Sequence, residues 1–574
     1  MCGDHHDENP PECKKNNHLR PHTADPYRSE DSVHPASPLC PSRSEIKGGL
    51  HRIRGTHNLS SVRNATGKVY LVGAGPGDRE LITLKGARLI QQADCIVYDA
   101  LINPSLLDLA KPETELIFAG KHPHSHTLSQ QALNELLVTK AQEGLQVVRL
   151  KGGDPLVFGR GGEEAAALNR ENIPFELVPG VSSVIAVPAY AGIPLTHRHV
   201  SSSFSVFTGR SNPETAQPDY PWEAITQTPG TKVLLMCVER LETLATSLID
   251  HGMDPATPGA MISWGTYGRQ RCVTAPLSKL ASEATAAKLT SPSIVILGEV
   301  VNLRDELNWF EKKPLFGRRV VITRHRSQKD ELTDRLLEMG AEILPIPTIQ
   351  FAPPSQARDL VESLIGLGEY DWIIFTSARG VEAFFEAFFK AYKDVRSLGN
   401  VRLAAVGPAT ASRIHAYHLE VDAMPSSHQA EHILEAISHH ESVENLRILI
   451  ARAEVANPKI LQHLEEKGAI VDDIACYQTI AASPTDRDAT ETLHNQGADW
   501  IAFASGSAVR HFHERFDLAD LLETYPSIKI ASIGPETSSW LRQLELNPTV
   551  EASEHTGVGL ANAITEYELR ASLE

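Results

Sequence analysis

A repeat at a constant offset is the feature that most restricts the fold of this chain of 574 residues. RRVVITR at 318–324 returns as LRILIAR at 446–452, and DWIIFTSARGVEAFFE at 371–386 returns as DWIAFASGSAVRHFHE at 499–514. Each copy of the longer segment combines an apolar strand, a turn with Ser and Gly, and the start of a helix. We therefore expect two similar α/β lobes, doubly wound, between residues 318 and 574.

The repeat also predicts how these two lobes share the chain. EILPIPTIQF at 342–351 and VDDIACYQTI at 471–480 lie at equivalent points, and we predict that they form paired strands crossing between the lobes. Lobe 1 then contains about residues 318–348 and 480–574, and lobe 2 about residues 352–476. Lobe 1 is therefore predicted to be discontinuous.

The preceding part of the chain alternates apolar runs with helical segments from Lys68 onward. VYLVGAG, ADCIVYDA, TELIFAG, LQVVRLKG and FELVPG are continuous apolar runs, which are typical of parallel strands buried on both faces. FSVFTGR, TKVLLMCV, AMISWG and SIVILGEV follow as the strands of a second half. We predict a two-lobed α/β domain over 67–310, with a cleft between its lobes and a charged linker at 311–317.

Composition limits the remaining possibilities. Residues 1–66 are rich in polar residues and have almost no aliphatic periodicity, which predicts a disordered tail. The seven cysteines form no C-x-x-C pair, no metal site is recognised, and no apolar run is long enough to span a bilayer, so we expect a cytoplasmic protein. The net charge of −18 argues against nucleic acid or a membrane surface as a partner.

Two glycine-rich turns mark a predicted ligand site. VGAGPGD at 72–78 and RLKGGDPLVFGRGGEE at 149–164 each follow an apolar strand and precede a helix. Ligands of open α/β sheets bind at the carboxyl ends of strands, where glycine lets them approach the main chain. Pro76 lacks the N–H donor that a pyrophosphate cradle uses, which argues against a dinucleotide.

Seven ordered motifs resemble the S-adenosylmethionine-dependent uroporphyrinogen-III C-methyltransferases of the tetrapyrrole methylase family. Besides the two turns they are ADCIVYDALI, FAGKHPHSH, VPGVSSVIAVPAYAGIPLTHR, LLMCVER and SWGTYGRQR. The resemblance implies a homodimer and assigns Asp99 as proton acceptor and Lys121 as proton donor. It places the methyl donor against Pro76, Gly152, Gly153, Asp154, Val157, Ser182, Ser183, Met236 and Gly265. Helix capping by Asp99 and core packing by Met236 are alternatives that the sequence leaves open.

The substrate of that family carries many carboxylates, so its cleft needs a positive wall despite the acidic chain. Arginine forks suit carboxylates. The candidates are Arg149, Lys151, Arg160, His197, Arg198, Arg210 and Arg271.

The C-terminal repeat resembles uroporphyrinogen-III synthase through FTSARGVEAF, AVGPAT, ACYQT, FASGSAV, IGPETS and EHTGVGLANAI. That family uses no cofactor, and Tyr477 matches the tyrosine proposed to help the substrate hydroxyl leave. Hydroxyl groups on the turns of the two lobes are candidates for substrate binding: Thr376, Ser377, Ser505, Ser507 and Thr537. Capping by Thr376 and Thr537, and a structural role for Tyr477, are the alternatives.

Together the two resemblances imply a bifunctional enzyme of tetrapyrrole biosynthesis. Hydroxymethylbilane is closed to uroporphyrinogen III, which is then methylated at C2 and C7 to precorrin-2 on the sirohaem and cobalamin branch. A non-catalytic, tetrapyrrole-sensing C-terminal module is the alternative.

Overall fold

The computed structural model describes residues 66–120, 128–209, 221–323, 330–425, 432–482 and 487–573. The predicted disordered tail and Lys121 lie outside these ranges. Residues 68–307 form two sheets with their helices. The strands are β1 (Lys68–Gly73), β2 (Cys95–Tyr98), β3 (Glu115–Phe118), β4 (Gln146–Lys151), β5 (Phe175–Val178), β6 (Phe204–Thr208), β7 (Thr231–Leu235), β8 (Pro258–Ser263), β9 (Arg271–Pro276) and β10 (Ser293–Leu297). The helices are α1 (Leu84–Gln92), α2 (Gln130–Gln142), α3 (Gly161–Arg170), α4 (Ser183–Tyr190), α5 (Trp222–Gln227), α6 (Leu241–Asp250), α7 (Leu277–Ala286) and α8 (Arg304–Leu307).

The first sheet is entirely parallel, in the order β3-β2-β4-β1-β5. Its three central strands, β2, β4 and β1, are largely buried on both faces because helices cover both, whereas the edge strand β3 has no buried residue. Leu71 and Val97 belong to the core on the side of α2 and α3, and Val72 and Leu150 to the core on the side of α1. This two-sided burial explains the continuous apolar runs.

The second sheet is mixed, in the order β6-β7-β10-β8-β9. β6 and β7 are parallel, whereas β10 runs antiparallel to both β7 and β8, and β8 runs antiparallel to β9. β9 was not predicted. It is an edge strand in which no residue is buried, so it lacks the apolar run that identified the other strands.

Residues 319–571 form two further sheets. Their strands are β11 (Arg319–Ile322), β12 (Glu342–Pro345), β13 (Ile349–Ala352), β14 (Trp372–Phe375), β15 (Arg402–Ala405), β16 (Arg447–Ala453), β17 (Ile470–Ala481), β18 (Trp500–Phe503), β19 (Lys529–Ser532) and β20 (Val550–Glu551). The helices are α9 (Glu331–Glu338), α10 (Ala357–Ile365), α11 (Ala378–Ala391), α12 (Pro408–His415), α13 (Ile433–Ser438), α14 (Lys459–Glu466), α15 (Arg487–Gln496), α16 (Gly506–Phe516), α17 (Leu518–Thr524), α18 (Pro535–Gln543) and α19 (Gly557–Ala571).

The order of these strands confirms the predicted fold class, including the discontinuous lobe. One parallel sheet, β12-β11-β18-β19-β20, combines strands from both sides of the other lobe in the chain. The other sheet is β13-β17-β16-β14-β15, and in it β13 pairs antiparallel with the long strand β17. β17 carries the second of the two segments that were predicted to connect the lobes, whereas the first, 342–351, is divided between β12 in one sheet and β13 in the other.

Candidate functional site

Three turns meet at the carboxyl edge of the first sheet. Gly75 and Gly153 exchange main-chain hydrogen bonds, with N–O distances of 3.2 Å from Gly75 to Gly153 and 2.8 Å in the other direction. The Asp154 carboxylate accepts a hydrogen bond of 3.0 Å from the Gly180 amide. The turns after β1, β4 and β5 are therefore joined into one surface.

Glycine is required at several of these positions. Gly75 and Gly153 have φ angles of +77° and +68°, a region in which residues with a Cβ are strained. A Cβ on Gly180 would lie 2.3 Å from the Gly153 carbonyl oxygen, and one on Gly73 would lie 2.5 Å from Gly180 Cα. The glycines thus allow the three turns to approach one another.

Most of the residues predicted to bind the methyl donor line the space beside these turns, which we call the donor space. A Cβ on Gly153 would point toward Ser183 N at 3.8 Å, into the region in front of the N-terminus of α4, which Ser182 caps. Asp154 also accepts from the amides of Leu156 and Val157, at 2.8 and 3.2 Å. The half-exposed Val157 adds apolar surface. An open cradle, a helix N-terminus and an apolar wall fit a ligand that has both a carboxylate and an apolar ring.

A loop from the second sheet, residues 264–270, closes this space. Gly265 has no room for a Cβ, which would lie 2.4 Å from Val187 Cγ1. The Thr266 hydroxyl donates to the Pro76 carbonyl at 2.7 Å and accepts from the Asp78 amide at 2.9 Å. Thr266 was not predicted, although it lies within the SWGTYGRQR motif. It ties the two lobes of this domain together across the donor space.

Asp99 lies directly after β2 and faces the same cleft. Its side chain is partly exposed, and its carboxylate forms an ion pair with Arg149. The helical turn that follows is capped by Asn103, whose side chain accepts from the Ser105 amide at 3.0 Å. The alternative that Asp99 caps this turn is therefore wrong.

Arg149 and Lys151 do not form part of an exposed positive wall. Both are almost fully buried, and the Lys151 ammonium lies 2.8 Å from the Glu164 carboxylate, which Arg149 approaches at 3.4 Å. Glu164 is completely buried. The structure contradicts direct substrate contact by these two cations, because their charges are already paired beneath the surface. Glu164 was not predicted, since the EE pair at the start of α3 gives no sign of which acid turns inward.

The other predicted cations differ in their positions. Arg160 forms a forked pair with Glu163 on the exposed side of α3, at 2.9 and 2.6 Å. Arg198, His197 and Arg271 are exposed, and Arg210 lies outside the described residues. None of the four described cations lines the cleft, so in the described residues the predicted wall is not assembled.

Met236 also lies apart from the cleft lining, unlike the other predicted donor residues. It is half-exposed after β7 with a φ of +54°. The alternative of core packing does not apply either, since the side chain is not buried.

Tyr477 lies on β17 and faces the cleft between the two C-terminal lobes. Its hydroxyl lies 3.2 Å from the Ser377 hydroxyl, and its ring packs edge-on against Phe351 with 5.4 Å between centroids. Burial raises the pKa of Tyr477, so the phenol stays protonated at neutral pH. A neutral phenol that keeps its proton can donate a hydrogen bond to a leaving oxygen.

The repeat places two serines at equivalent helix starts. Ser377 caps α11 by accepting from Gly380 N at 3.0 Å, and Ser505 caps α16 by accepting from Ala508 N at 3.3 Å. Ser505 and Ser507 line the cleft. The capping alternative is wrong for Thr376, because the following serine caps α11. Thr537 is buried within the first turn of α18, which contradicts direct substrate contact.

Two arginines that were not predicted contribute positive charge to this cleft. Arg379 and Arg413 both line it, and both pair with Glu382, at 2.9 and 2.8 Å. Each retains a buried Nε with no hydrogen-bond partner among the described residues. Arg379 lies in the FTSARGVEAF motif, where its charge next to a capping serine could have identified it.

Both clefts open into one cavity of about 2760 Å³. Its lining includes Asp99 and Asp154 at one end and Tyr477 and Ser505 at the other. Within the described ranges, no group of His, Cys, Asp or Glu is arranged to hold a metal ion, and no helix is long and apolar enough to cross a membrane. The fold and the two clefts define a protein with two binding domains, each two-lobed and α/β.

Family models match both domains. Residues 68–281 match the tetrapyrrole (corrin/porphyrin) methylases, and residues 330–562 match uroporphyrinogen-III synthase HemD. The porphyrin biosynthesis protein HemD of Ruminiclostridium josui is 36% identical over 446 residues, which are 78% of this chain and 88% of the relative. The chain therefore belongs to the family in which a uroporphyrinogen-III C-methyltransferase is fused to a uroporphyrinogen-III synthase domain.

Two further relatives are methyltransferases that act on uroporphyrinogen III, by their names. The uroporphyrinogen-III C-methyltransferase of Bacillus subtilis is 39% identical over 382 residues, covering 66% of this chain and 78% of its own. The S-adenosyl-L-methionine-dependent uroporphyrinogen III methyltransferase of Methanosarcina barkeri is 51% identical over 241 residues, covering 42% of this chain and 94% of its own.

Proposed function

We propose that this protein makes uroporphyrinogen III from hydroxymethylbilane in its C-terminal domain and methylates it at C2 and C7 in its N-terminal domain, giving precorrin-2. The observation that carries the proposal is the placement of Asp99 in the same cleft as the glycine cradle. A carboxylate beside a donor-binding surface suits a reaction that transfers a methyl group and removes a proton. The place of action is the cytoplasm.

The methyl donor is S-adenosylmethionine, which supplies an electrophilic methyl group. The N-terminus of α4 and the cradle beside Gly153 suit its carboxylate, and Val157 and the loop at 264–270 suit its apolar part. Asp154 and Thr266 hold the surrounding turns in place through hydrogen bonds. These residues fix the direction from which a pyrrole carbon can approach the methyl group.

Asp99 accepts the proton that the tetrapyrrole loses after methylation. The Arg149 guanidinium fixes the position of its carboxylate, while partial exposure leaves the carboxylate accessible from the cleft. Glu164 pairs with Arg149 in turn, so buried residues fix the position of the Asp99 carboxylate. Lys121 is retained as the proposed proton donor.

The C-terminal domain folds the linear tetrapyrrole and assists loss of its hydroxyl group. The neutral Tyr477 phenol donates to the departing oxygen, and the serines at the starts of α11 and α16 approach the substrate from opposite lobes. Arg379 and Arg413 bind its carboxylates. Closure with inversion of the last ring then gives the type III isomer.

Anaerobic incubation of the whole protein with hydroxymethylbilane, with and without S-adenosylmethionine, tests both activities. We expect the type III isomer alone without the donor and a dimethylated product with it, by chromatography and mass analysis. Accumulation of the type I isomer, which forms spontaneously, would contradict the synthase activity. Type III isomer that remains unmethylated would contradict the methyltransferase activity.

A further inference from the structure

The methylase and synthase domains contact each other beside both clefts. Gly268, in the loop that closes the donor space, packs so tightly against β12 that a Cβ would lie 2.4 Å from the Ala341 carbonyl carbon. The Gly268 carbonyl also accepts a hydrogen bond of 3.0 Å from Gly317 N. Arg269 bridges from the same loop to Glu342 at 3.1 Å. We call the contact between residues 264–270 and 340–342 the junction.

A second contact fixes the other side of the donor space. Arg79, directly after the first glycine-rich turn, forms an ion pair with Asp334 on α9. The two segments that bound the donor space are therefore each attached to the synthase domain. This attachment holds the two clefts in one orientation, and the shared cavity runs past the junction.

Lys313 lies on the cavity wall at the junction. Its ammonium lies over the rings of Trp309 and Phe310, at 5.3 and 5.2 Å from their centroids. In the part of the chain that the structure describes, no carboxylate pairs with Lys313, whereas Arg79 and Arg269 beside it are both paired. A half-buried cation that aromatic rings hold in place, with no anion of its own, is suited to bind an anionic ligand.

We propose that the tetrapyrrole formed in the synthase cleft reaches the methyl-donor site through the shared cavity, with Lys313 binding one of its carboxylates on the way. The inference rests on the proposed function and adds a route between its two steps. The cavity of about 2760 Å³ is lined by residues of both clefts and of the junction, so a route between the two sites need not leave it. Because the intermediate carries a carboxylate on every side chain, Lys313 can bind it without a specific ring orientation.

Isotope dilution tests this route in the full chain. Carbon-13-labelled hydroxymethylbilane is supplied with S-adenosylmethionine, while unlabelled uroporphyrinogen III is present in excess in solution. Transfer through the cavity predicts that the methylated product initially carries far more label than its share in the dissolved pool. Lys313→Glu should bring the label down to that share, and Lys313→Arg should restore the excess.

Lys312→Glu is the matched control, because Lys312 is the adjacent exposed lysine and does not line the cavity. Each half-reaction, assayed separately for every variant, reports whether either site has been damaged. Label at the dissolved share in the wild-type protein, with both products formed, would overturn the inference and leave the proposed function intact. An equal excess of label in both Glu variants would overturn the route past Lys313. Failure to form the type III isomer or the methylated product would overturn the proposed function itself.

Discussion

At the scale of single residues, Asp99 is the side chain on which the proposed methyl transfer depends most. Asp99→Asn preserves the size of the side chain but removes the charge that accepts a proton. We expect the affinity for S-adenosylmethionine, measured by calorimetry, to change within severalfold, while methyl transfer falls by about 10²–10⁴-fold. The synthase activity of the same variant should be unaffected, since Asp99 lies at the other end of the cavity.

Asp94→Asn provides the control for this substitution. Asp94 lies just before the other end of β2 and accepts from Gln146 N at 2.8 Å, far from the donor turns. Its variant should methylate at the wild-type rate per folded molecule. Near-normal methyl transfer by Asp99→Asn would show that the carboxylate serves only to pair with Arg149.

The two adjacent acids at the start of α3 are expected to differ sharply in their effect on stability. Glu164 is completely buried against Arg149 and Lys151, so Glu164→Gln leaves two buried cations with only Asp99 as counter-charge. We expect a loss of about 3–5 kcal/mol in the free energy of unfolding. Glu163→Gln removes an exposed pair with Arg160 and should cost at most about 1 kcal/mol. Urea unfolding measures both, and equal losses would contradict the buried network.

These residues also show what the sequence could and could not predict about the site. The position of the glycines and of Asp154 at the carboxyl edge of the first sheet was predictable, because a Gly-rich turn after a strand of an open α/β sheet lies at that edge. The burial of Arg149, Lys151 and Thr537 could not be predicted. The sequence does not show whether a polar side chain at a strand end or in the first turn of a helix points inward or outward. The role of Glu164 as the buried partner of Arg149 could be identified only from the structure, which places the two side chains next to each other.

At the scale of secondary-structure elements, prediction succeeded where burial on both faces produced a continuous apolar run. WIIF in β14 and WIAF in β18 are completely buried, and the repeat places them at equivalent positions in the two lobes. The edge strand β9 was missed because none of its residues is buried and its apolar residues are interrupted by Thr274 and Pro276. Strand direction in the second sheet was not predicted, and the apolar run of β10 would have been misleading: such runs are typical of parallel strands, yet β10 runs antiparallel to both of its neighbours.

The stability of lobe 2 is expected to decrease at alkaline pH, because a tyrosine hydroxyl attaches the segment after α10 to β17. Tyr370 follows α10, and its hydroxyl donates to Asp472 on β17 at 2.7 Å. Burial, followed by the hydrogen bond to Asp472, raises the pKa of Tyr370 to about 12 from an ordinary value near 10. The raised pKa means that its contribution to stability is complete below about pH 10 and is lost as the pH rises toward 12.

Tyr370→Phe removes this titration. Urea unfolding at several pH values should show that the free energy of unfolding of the variant falls less steeply between pH 10 and 12 than that of the wild-type protein. Parallel curves for the two proteins would contradict the raised pKa of this phenol.

At the scale of the whole molecule, the junction brings the clefts of the two domains into one cavity. Each domain has its own hydrophobic cores, and the contacts between the domains include the close approach of Gly268, the ion pairs of Arg79 and Arg269, and the packing of Phe310 against Phe316 in the linker, with 5.5 Å between ring centroids. The close main-chain approach at Gly268 and the ion pairs of Arg79 and Arg269 fix how the two domains meet. The sequence alone predicted a linker at 311–317 and gave no indication that the two domains are docked.

Gly268→Ala is therefore expected to separate the domains without unfolding either one. A methyl group 2.4 Å from the main chain of Ala341 cannot be accommodated by rotating a side chain, so the loop must move away from β12. Limited proteolysis should then cut the 311–317 linker several times faster than in the wild-type protein. Gly162→Ala is the control, because a Cβ there has no neighbour within 4 Å and the residue lies on α3, away from the junction. Equal cleavage rates in all three proteins would show that the domains are not held together at Gly268, and the shared cavity would lose the contact that defines it.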